Sequence, residues 1–229
     1  MATVVWWLLR QTVNVRPWIA GRPAEGVSGD GALPLPPVKV GLGVFLAVAT
    51  SLFALLISAY FMRMEGADWT TLTVPKGLWL NTAALMLSSV AMQWTRVAAR
   101  RGRIDGVRIG LIAGGVFTFG FLAGQLWVWR QLNASGYFVA ANPANAFFYL
   151  LTALHGLHLL GGLWVWGKTT AKAARGAEVG AVRLSVELCT TYWHYLLLVW
   201  LILFALLLST PPRQSSCPPD TFAICGVTK

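Results

Sequence analysis

The chain has 229 residues, of which 56% are hydrophobic and only 11% are charged, and its mean hydropathy is +0.62. In a water-soluble domain about a quarter of the residues are charged, so a lipid bilayer is the expected solvent of this chain. The net charge of +10 is compatible with nucleic acid, but the basic residues fall almost entirely between apolar stretches. We therefore expect a membrane protein with no nucleic-acid partner.

Five apolar stretches are long enough to span about 30 Å of hydrocarbon. In chain order they cover residues 41–61, 78–95, 107–129, 145–166 and 184–208. The second stretch is short, and by itself it is a marginal candidate for a membrane span. Trp79 and Trp94 near its ends nevertheless fit interfacial anchors. The sequence thus predicts an all-α fold, a polytopic bundle of five transmembrane helices. We divide the chain into an N-terminal cytoplasmic or interfacial segment (1–40), the helix bundle (41–208) and a periplasmic tail (209–229).

The orientation follows from the distribution of Lys and Arg. With five spans, thirteen of the eighteen basic residues fall on one side of the membrane, including the cluster from Arg96 to Arg103. Cytoplasmic loops carry the excess of basic residues. The N-terminus is therefore predicted in the cytoplasm and the C-terminus in the periplasm, in the inner membrane of a bacterium.

The three cysteines have different surroundings. Cys189 lies within the fifth span and is expected to be a small packing residue. Cys217 and Cys225 fall in the tail, on the predicted oxidising side of the membrane, where they could pair as a disulfide. Two cysteines do not form the spacing pattern of a disulfide-rich domain, so whether they pair stays open.

Small and weakly polar residues in the second and third spans predict close helix packing. The third span contains two G-x-x-x-G pairs, formed by Gly110, Gly114, Gly120 and Gly124. Such glycines let helix backbones approach each other. The second span offers interhelical hydrogen-bonding groups at Asn81, Ser88 and Ser89.

The fourth and fifth spans contain the intramembrane ionisable groups. In "FFYLLTALHGLHLLGG", His155 and His158 share a helical face, and Glu187 and His194 share a face of the fifth span. Counting about 1.5 Å per residue from the predicted ends places His155 and His194 at similar depth, with His158 and Glu187 nearer the cytoplasm. This depth predicts a His158–Glu187 pair and a His155–His194 pair.

Three interpretations of these groups compete. The first is a set of hydrogen bonds that tie the helices together, because a buried polar group in a membrane needs a partner. The second is a haem or metal site with His155 and His194 as axial ligands. The third is a proton or substrate pathway through Glu187, since an intramembrane carboxylate is a functional candidate by default. We favour the first, because no further metal ligand is evident and the first and third spans are nearly devoid of ionisable groups.

The motifs "FLAGQLWVWRQL", "NPANAFFYLLTALHGLHLLGG" and "VELCTTYWHYLLLVWLILFALLL" resemble subunit III of the haem–copper oxidases of the cytochrome c oxidase type. The resemblance covers about residues 41 to 208, and five helices match the shorter bacterial form. It implies a non-catalytic subunit without haem or copper, which packs beside subunit I and binds phospholipid between helix groups. The implied partners are oxidase subunits I and II, membrane lipids and, for the whole complex, cytochrome c. The family's polar positions correspond here to Gln125, His155, His158, Glu187, Tyr192, Trp193 and His194.

One departure from the family concerns the first span, where Ala49 stands in place of an expected glutamate. A lipid- or proton-linked role that depends on that carboxylate is therefore not expected here. Two alternatives stay open at this point. The nearer is a subunit III-like protein associated with nitric oxide reductase. The farther is a membrane b-type cytochrome that uses His155 and His194.

Overall fold

A computed structural model describes residues 37–66, 69, 75–139, 142–175 and 179–209 of the chain. The first 36 residues and the tail from residue 210, with Cys217 and Cys225, lie outside the described residues. The described part contains five helices, α1 (Pro37–Met64), α2 (Gly77–Arg100), α3 (Ile104–Ala134), α4 (Pro143–Ala174) and α5 (Val179–Ser209). Each predicted span lies within one of these helices, which confirms the all-α class.

Four of the described helices are long and apolar enough to cross a membrane, namely α1, α3, α4 and the 182–209 part of α5. With 28 to 32 residues each, they are about 42 to 48 Å long, which exceeds the roughly 30 Å hydrocarbon core. The protein is thus a multi-pass membrane protein. The 24-residue helix α2 is less apolar and is not among the four.

Local sequence signals fix the helix boundaries near the loops. Asn142 caps α4 by accepting a hydrogen bond from the Ala144 backbone N–H at 3.1 Å, and Pro143 occupies the first turn. Between α2 and α3, Gly102 adopts a positive φ of 71°, which a residue with a side chain rarely adopts. The turn that it forms is short, so α2 and α3 lie side by side and antiparallel.

The helices differ in how deeply they are buried. In the most apolar 18-residue stretch of α5, half of the residues are buried inside the bundle. In the corresponding stretch of α1, only 11% are buried. Helix α2 packs chiefly against α3 and then against α5, while α1 makes limited contact with α4 and α5. Helix α5 is therefore the central element and α1 the peripheral one.

The predicted glycine packing surface is confirmed at three of its four positions. A Cβ atom at Gly110 would collide with Thr95, and one at Gly124 would collide with Asn81, both on α2. Gly114 is similarly close to α2, but Gly120 has open space around it. The glycines of α3 thus permit the close approach of α2, except at Gly120.

Candidate functional site

Glu187 is the centre of an ion cluster that joins three helices. Its Oε2 lies 3.1 Å from Lys39 Nζ on α1, and its Oε1 lies 3.0 Å from Arg96 Nη2 on α2. Arg100 adds a third cation at 3.5 Å. The Glu187 side chain is 26% exposed, so the cluster is partly shielded from solvent. One carboxylate on α5 therefore holds the start of α1 and the last turns of α2.

The predicted pair between His158 and Glu187 is wrong. His158 Nδ1 lies 2.8 Å from the Leu154 carbonyl oxygen of its own helix, and the imidazole ring packs near Phe53 of α1, with ring centroids 5.3 Å apart. The helical-face argument compared only the fourth and fifth spans. It missed the cations on α1 and α2, which reach Glu187 first.

The predicted pair between His155 and His194 is also wrong. His155 is fully buried, and its ring lies against Trp200, at 5.3 Å between centroids, and edge-on to Phe121 at 5.9 Å. Neither of its ring nitrogens has a hydrogen-bond partner within the described part of the chain. His155 thus contacts aromatic rings of α3 and α5 instead of a second histidine.

His194 turns toward α2. Its Nδ1 lies 2.5 Å from Ser89 Oγ, and its Nε2 lies 3.2 Å from Gln93 Oε1. Both ring nitrogens therefore lie within hydrogen-bonding distance of α2 side chains. The helix that His194 contacts is therefore α2 and not α4.

The other predicted polar residues also connect helices. Trp193 Nε1 donates to Ser88 Oγ at 2.9 Å and to Thr118 Oγ1 at 3.1 Å, which links α5 to α2 and α3. The Tyr192 hydroxyl donates to the His158 carbonyl oxygen on α4 at 2.9 Å.

Gln125 on α3 extends this pattern to the α2–α3 contact. It accepts a hydrogen bond from Asn81 Nδ2 at 3.1 Å. The bonds of Asn81, Ser88 and Ser89 confirm that these second-span residues are interhelical hydrogen-bonding groups. The predicted residues are therefore distributed through the bundle, although Tyr192 and Trp193 line the same cleft between α1, α4 and α5.

The sequence interpretation named only Ser89 on the polar face of α2 and missed the rest of that face. Ser89, Gln93, Arg96 and Arg100 recur at i, i+4, i+7 and i+11 and so lie on one side of the helix. Three of them contact His194 or Glu187 on α5, and Arg100 lies near the same carboxylate. This periodicity was a readable signal for the α2–α5 interface.

The described residues include no group of three or more His, Cys, Asp or Glu side chains that could hold a metal ion. Ala49 is buried within α1, and α1 contains no Asp or Glu. The described side chains therefore offer hydrogen bonds and ion pairs between helices, with no assembled set of metal ligands.

Comparison with known proteins places the sequence in a family. The family model of cytochrome c oxidase subunit III matches residues 36–209. The probable cytochrome c oxidase subunit 3 of Mycobacterium bovis is 29% identical over 175 residues, which are 74% of this chain and 86% of that protein. The cytochrome c oxidase subunit 3 of Thermostichus vulcanus is 29% identical over 191 residues, 79% of this chain and 92% of that protein. The chain therefore belongs to the cytochrome c oxidase subunit III family.

Proposed function

We propose that this chain is the non-catalytic subunit III of a bacterial proton-pumping cytochrome c oxidase, in which it stabilises subunit I. The complex would pass electrons from a cytochrome c to O2, with haem and copper in the partner subunits. The proposal rests on the bonding partners of the polar side chains within the helices. Glu187, Tyr192, Trp193 and His194 all bond to other helices of the same chain.

The engagement of these groups favours a structural role over a redox role. A haem ligand needs a ring nitrogen that faces the iron, whereas His194 uses both nitrogens within the chain. His155 is enclosed by Trp200 and Phe121, and it does not face His194. This arrangement argues against the b-type cytochrome alternative.

A further part of the proposal is that phospholipid binds between helix groups. A cleft of about 570 Å³ separates the first half of α1 from α4 and α5. Its walls are almost entirely apolar and include Gly41, Phe45, Gly161 and Gly162. Since small residues widen the cleft and no charge lines it, an acyl chain suits its chemistry. The limited packing of α1 leaves this cleft open to the surrounding bilayer.

We also propose that α2 is the fifth transmembrane span. It packs beside α3 and α5, and its short connection to α3 holds the two helices at the same depth. Its hydropathy is lowered by residues whose polar atoms bond inside the bundle, such as Asn81 and Ser88. Five spans place the Lys- and Arg-rich loops on one side, which supports a cytoplasmic N-terminus and a periplasmic C-terminus in the inner membrane.

The test is purification of the tagged chain in a mild detergent, with mass spectrometry and a visible absorption spectrum of whatever comes with it. We expect a large haem–copper subunit I and a copper-bearing subunit II. Recovery with nitric oxide reductase chains instead would favour the nearer alternative. Recovery of the chain alone with a b-type haem spectrum would overturn the proposal.

A further inference from the structure

His155 is a polar side chain without a hydrogen-bond partner in the described part of the chain. It is fully buried, and this holds for both of its ring nitrogens. The residue lies ten positions after the start of the predicted span, which is about 15 Å deep and near the middle of the membrane. Nearly all buried polar groups in proteins have a partner, because an unpaired one lowers the stability of the fold. The ring therefore needs a partner that the surrounding side chains do not provide.

Gln125 on α3 carries a second polar atom of this kind. The residue is 5% exposed, and its Oε1 accepts a hydrogen bond from Asn81 of α2. Its Nε2 is buried and has no partner among the described residues. A primary amide has two N–H donors on its nitrogen, and these point away from its oxygen. Gln125 thus bonds to α2 with one end of its amide and directs donors into the bundle with the other.

The packing of α3 against α4 places Gln125 and His155 at the same level. On α3, Phe121, Gln125 and Trp129 recur at i, i+4 and i+8 and so share a face. Trp129 Nε1 donates to Thr152 Oγ1 of α4 at 3.2 Å, and the rings of Phe121 and His155 lie 5.9 Å apart between centroids. Gln125 lies midway between these two contacts. Its amide is therefore next to the turn of α4 that carries Thr152 and His155.

The surroundings of this pair select a small and neutral molecule. The rings of Phe121 and Trp200 enclose His155, and Trp200 Nε1 donates to the uncharged Thr82 of α2 at 3.0 Å. An ion among these uncharged side chains would lack a counter-charge, and burying such an ion is costly. An acyl chain offers no acceptor to the amide of Gln125. Water fits, because a buried water molecule typically makes about three hydrogen bonds to polar groups that are otherwise unpaired.

We propose that a water molecule binds between Gln125 and His155 and links α3 to α4. It accepts a hydrogen bond from a Gln125 N–H and bonds to the ring nitrogen that faces α3, since water both donates and accepts. Together with the Asn81–Gln125 bond, it forms a continuous chain of hydrogen bonds from α2 through α3 to α4. The site gives His155 a helix-linking role without a second histidine. It does not depend on which subunits accompany this chain.

A double-mutant cycle in the purified full-length chain tests the bridge. Gln125→Met and His155→Leu each remove one end of it at similar side-chain volume, and unfolding is followed in mixed micelles. Each single change should raise the unfolding equilibrium constant about tenfold, because it leaves the other group unpaired. The double variant should raise it about tenfold to thirtyfold, well below the hundredfold product. As a control, His155→Leu is combined with Glu187→Gln near the start of α5, where the two effects should multiply.

A density map of the purified protein with its accompanying subunits tests the site directly, at a resolution that shows ordered water. We expect a peak within about 3.2 Å of Gln125 Nε2 and of one His155 ring nitrogen, and its loss in His155→Leu. A direct bond between the two side chains, or no density between them, would overturn the proposal. Independent effects of Gln125→Met and His155→Leu would also overturn it. So would a stability that His155→Leu leaves unchanged or raises, which is the result expected when the ring nitrogens bind nothing.

Discussion

The ion cluster around Glu187 gives the sharpest prediction for the stability of the bundle. Glu187→Gln keeps the size of the side chain but removes the charge that faces Lys39 and Arg96. Three cations would then lie close together without a counter-charge, since Arg100 is also near. The start of α1 should loosen from α2 and α5, because α1 has few other contacts with the bundle.

The expected loss of stability follows from how exposed the side chains of the ion cluster are. Fully exposed pairs contribute about 0.2–1 kcal/mol, and breaking a fully buried pair costs about 3–5 kcal/mol. The Lys39, Arg96 and Glu187 side chains are 37%, 28% and 26% exposed, between these limits. We therefore expect Glu187→Gln to lower the free energy of unfolding by about 1–3 kcal/mol. In a double-mutant cycle with Lys39→Met, we expect a coupling energy of about 1 kcal/mol.

The assay is unfolding of the purified chain in mixed micelles with increasing denaturing detergent, followed by tryptophan fluorescence. The matched control is Asp105→Asn, because the Asp105–Arg108 pair is longer, at 3.9 Å, and the Asp105 side chain is 87% exposed. That variant should change the stability by no more than a few tenths of a kcal/mol. A coupling energy between Glu187 and Lys39 indistinguishable from zero would refute the reasoning, since the cluster would then not hold α1.

Three further predictions concern packing, hydrogen bonding and topology. Gly124→Leu should abolish close packing against Asn81 and sharply lower the yield of folded chain, while Gly120→Leu should be tolerated; equal yields would contradict the packing account. Trp193→Phe should lower the free energy of unfolding by about 1–2 kcal/mol through its lost hydrogen bonds, and an unchanged unfolding curve would show that these bonds contribute nothing. A cysteine introduced in the 101–103 turn should resist an impermeant thiol reagent in intact cells and react in inverted vesicles, and the reverse pattern would overturn the orientation.

The helices could be predicted from sequence because hydropathy and length act locally. Each of the five predicted spans lies inside a helix, and the helices extend beyond them by one to eight residues at each end. The extensions contain basic residues such as Lys39 and Arg100, which a hydropathy criterion excludes. The predicted span limits therefore do not mark the ends of the helices.

The partners of the intramembrane residues could not be predicted in the same way. A helical face is defined within one helix, but the partner of Glu187 depends on how three helices are rotated about their axes. The two-helix argument paired His158 with Glu187 because both face a neighbour at similar depth. It counted Arg96 in the basic cluster of a predicted cytoplasmic loop, although the guanidinium donates to the Glu187 carboxylate.

Three consecutive residues of α5, Tyr192, Trp193 and His194, all bond to other helices, because α5 lies at the centre of the bundle. Consecutive residues point about 100° apart around a helix axis, so three in a row can face three directions. Tyr192 reaches α4, Trp193 reaches α2 and α3 together, and His194 reaches the outer face of α2. A peripheral helix such as α1 would leave at least one of these side chains in lipid without a partner. The motif is thus the expected solution for a central helix that must hold its neighbours through directional bonds, in a solvent where apolar contact alone does not distinguish protein from lipid.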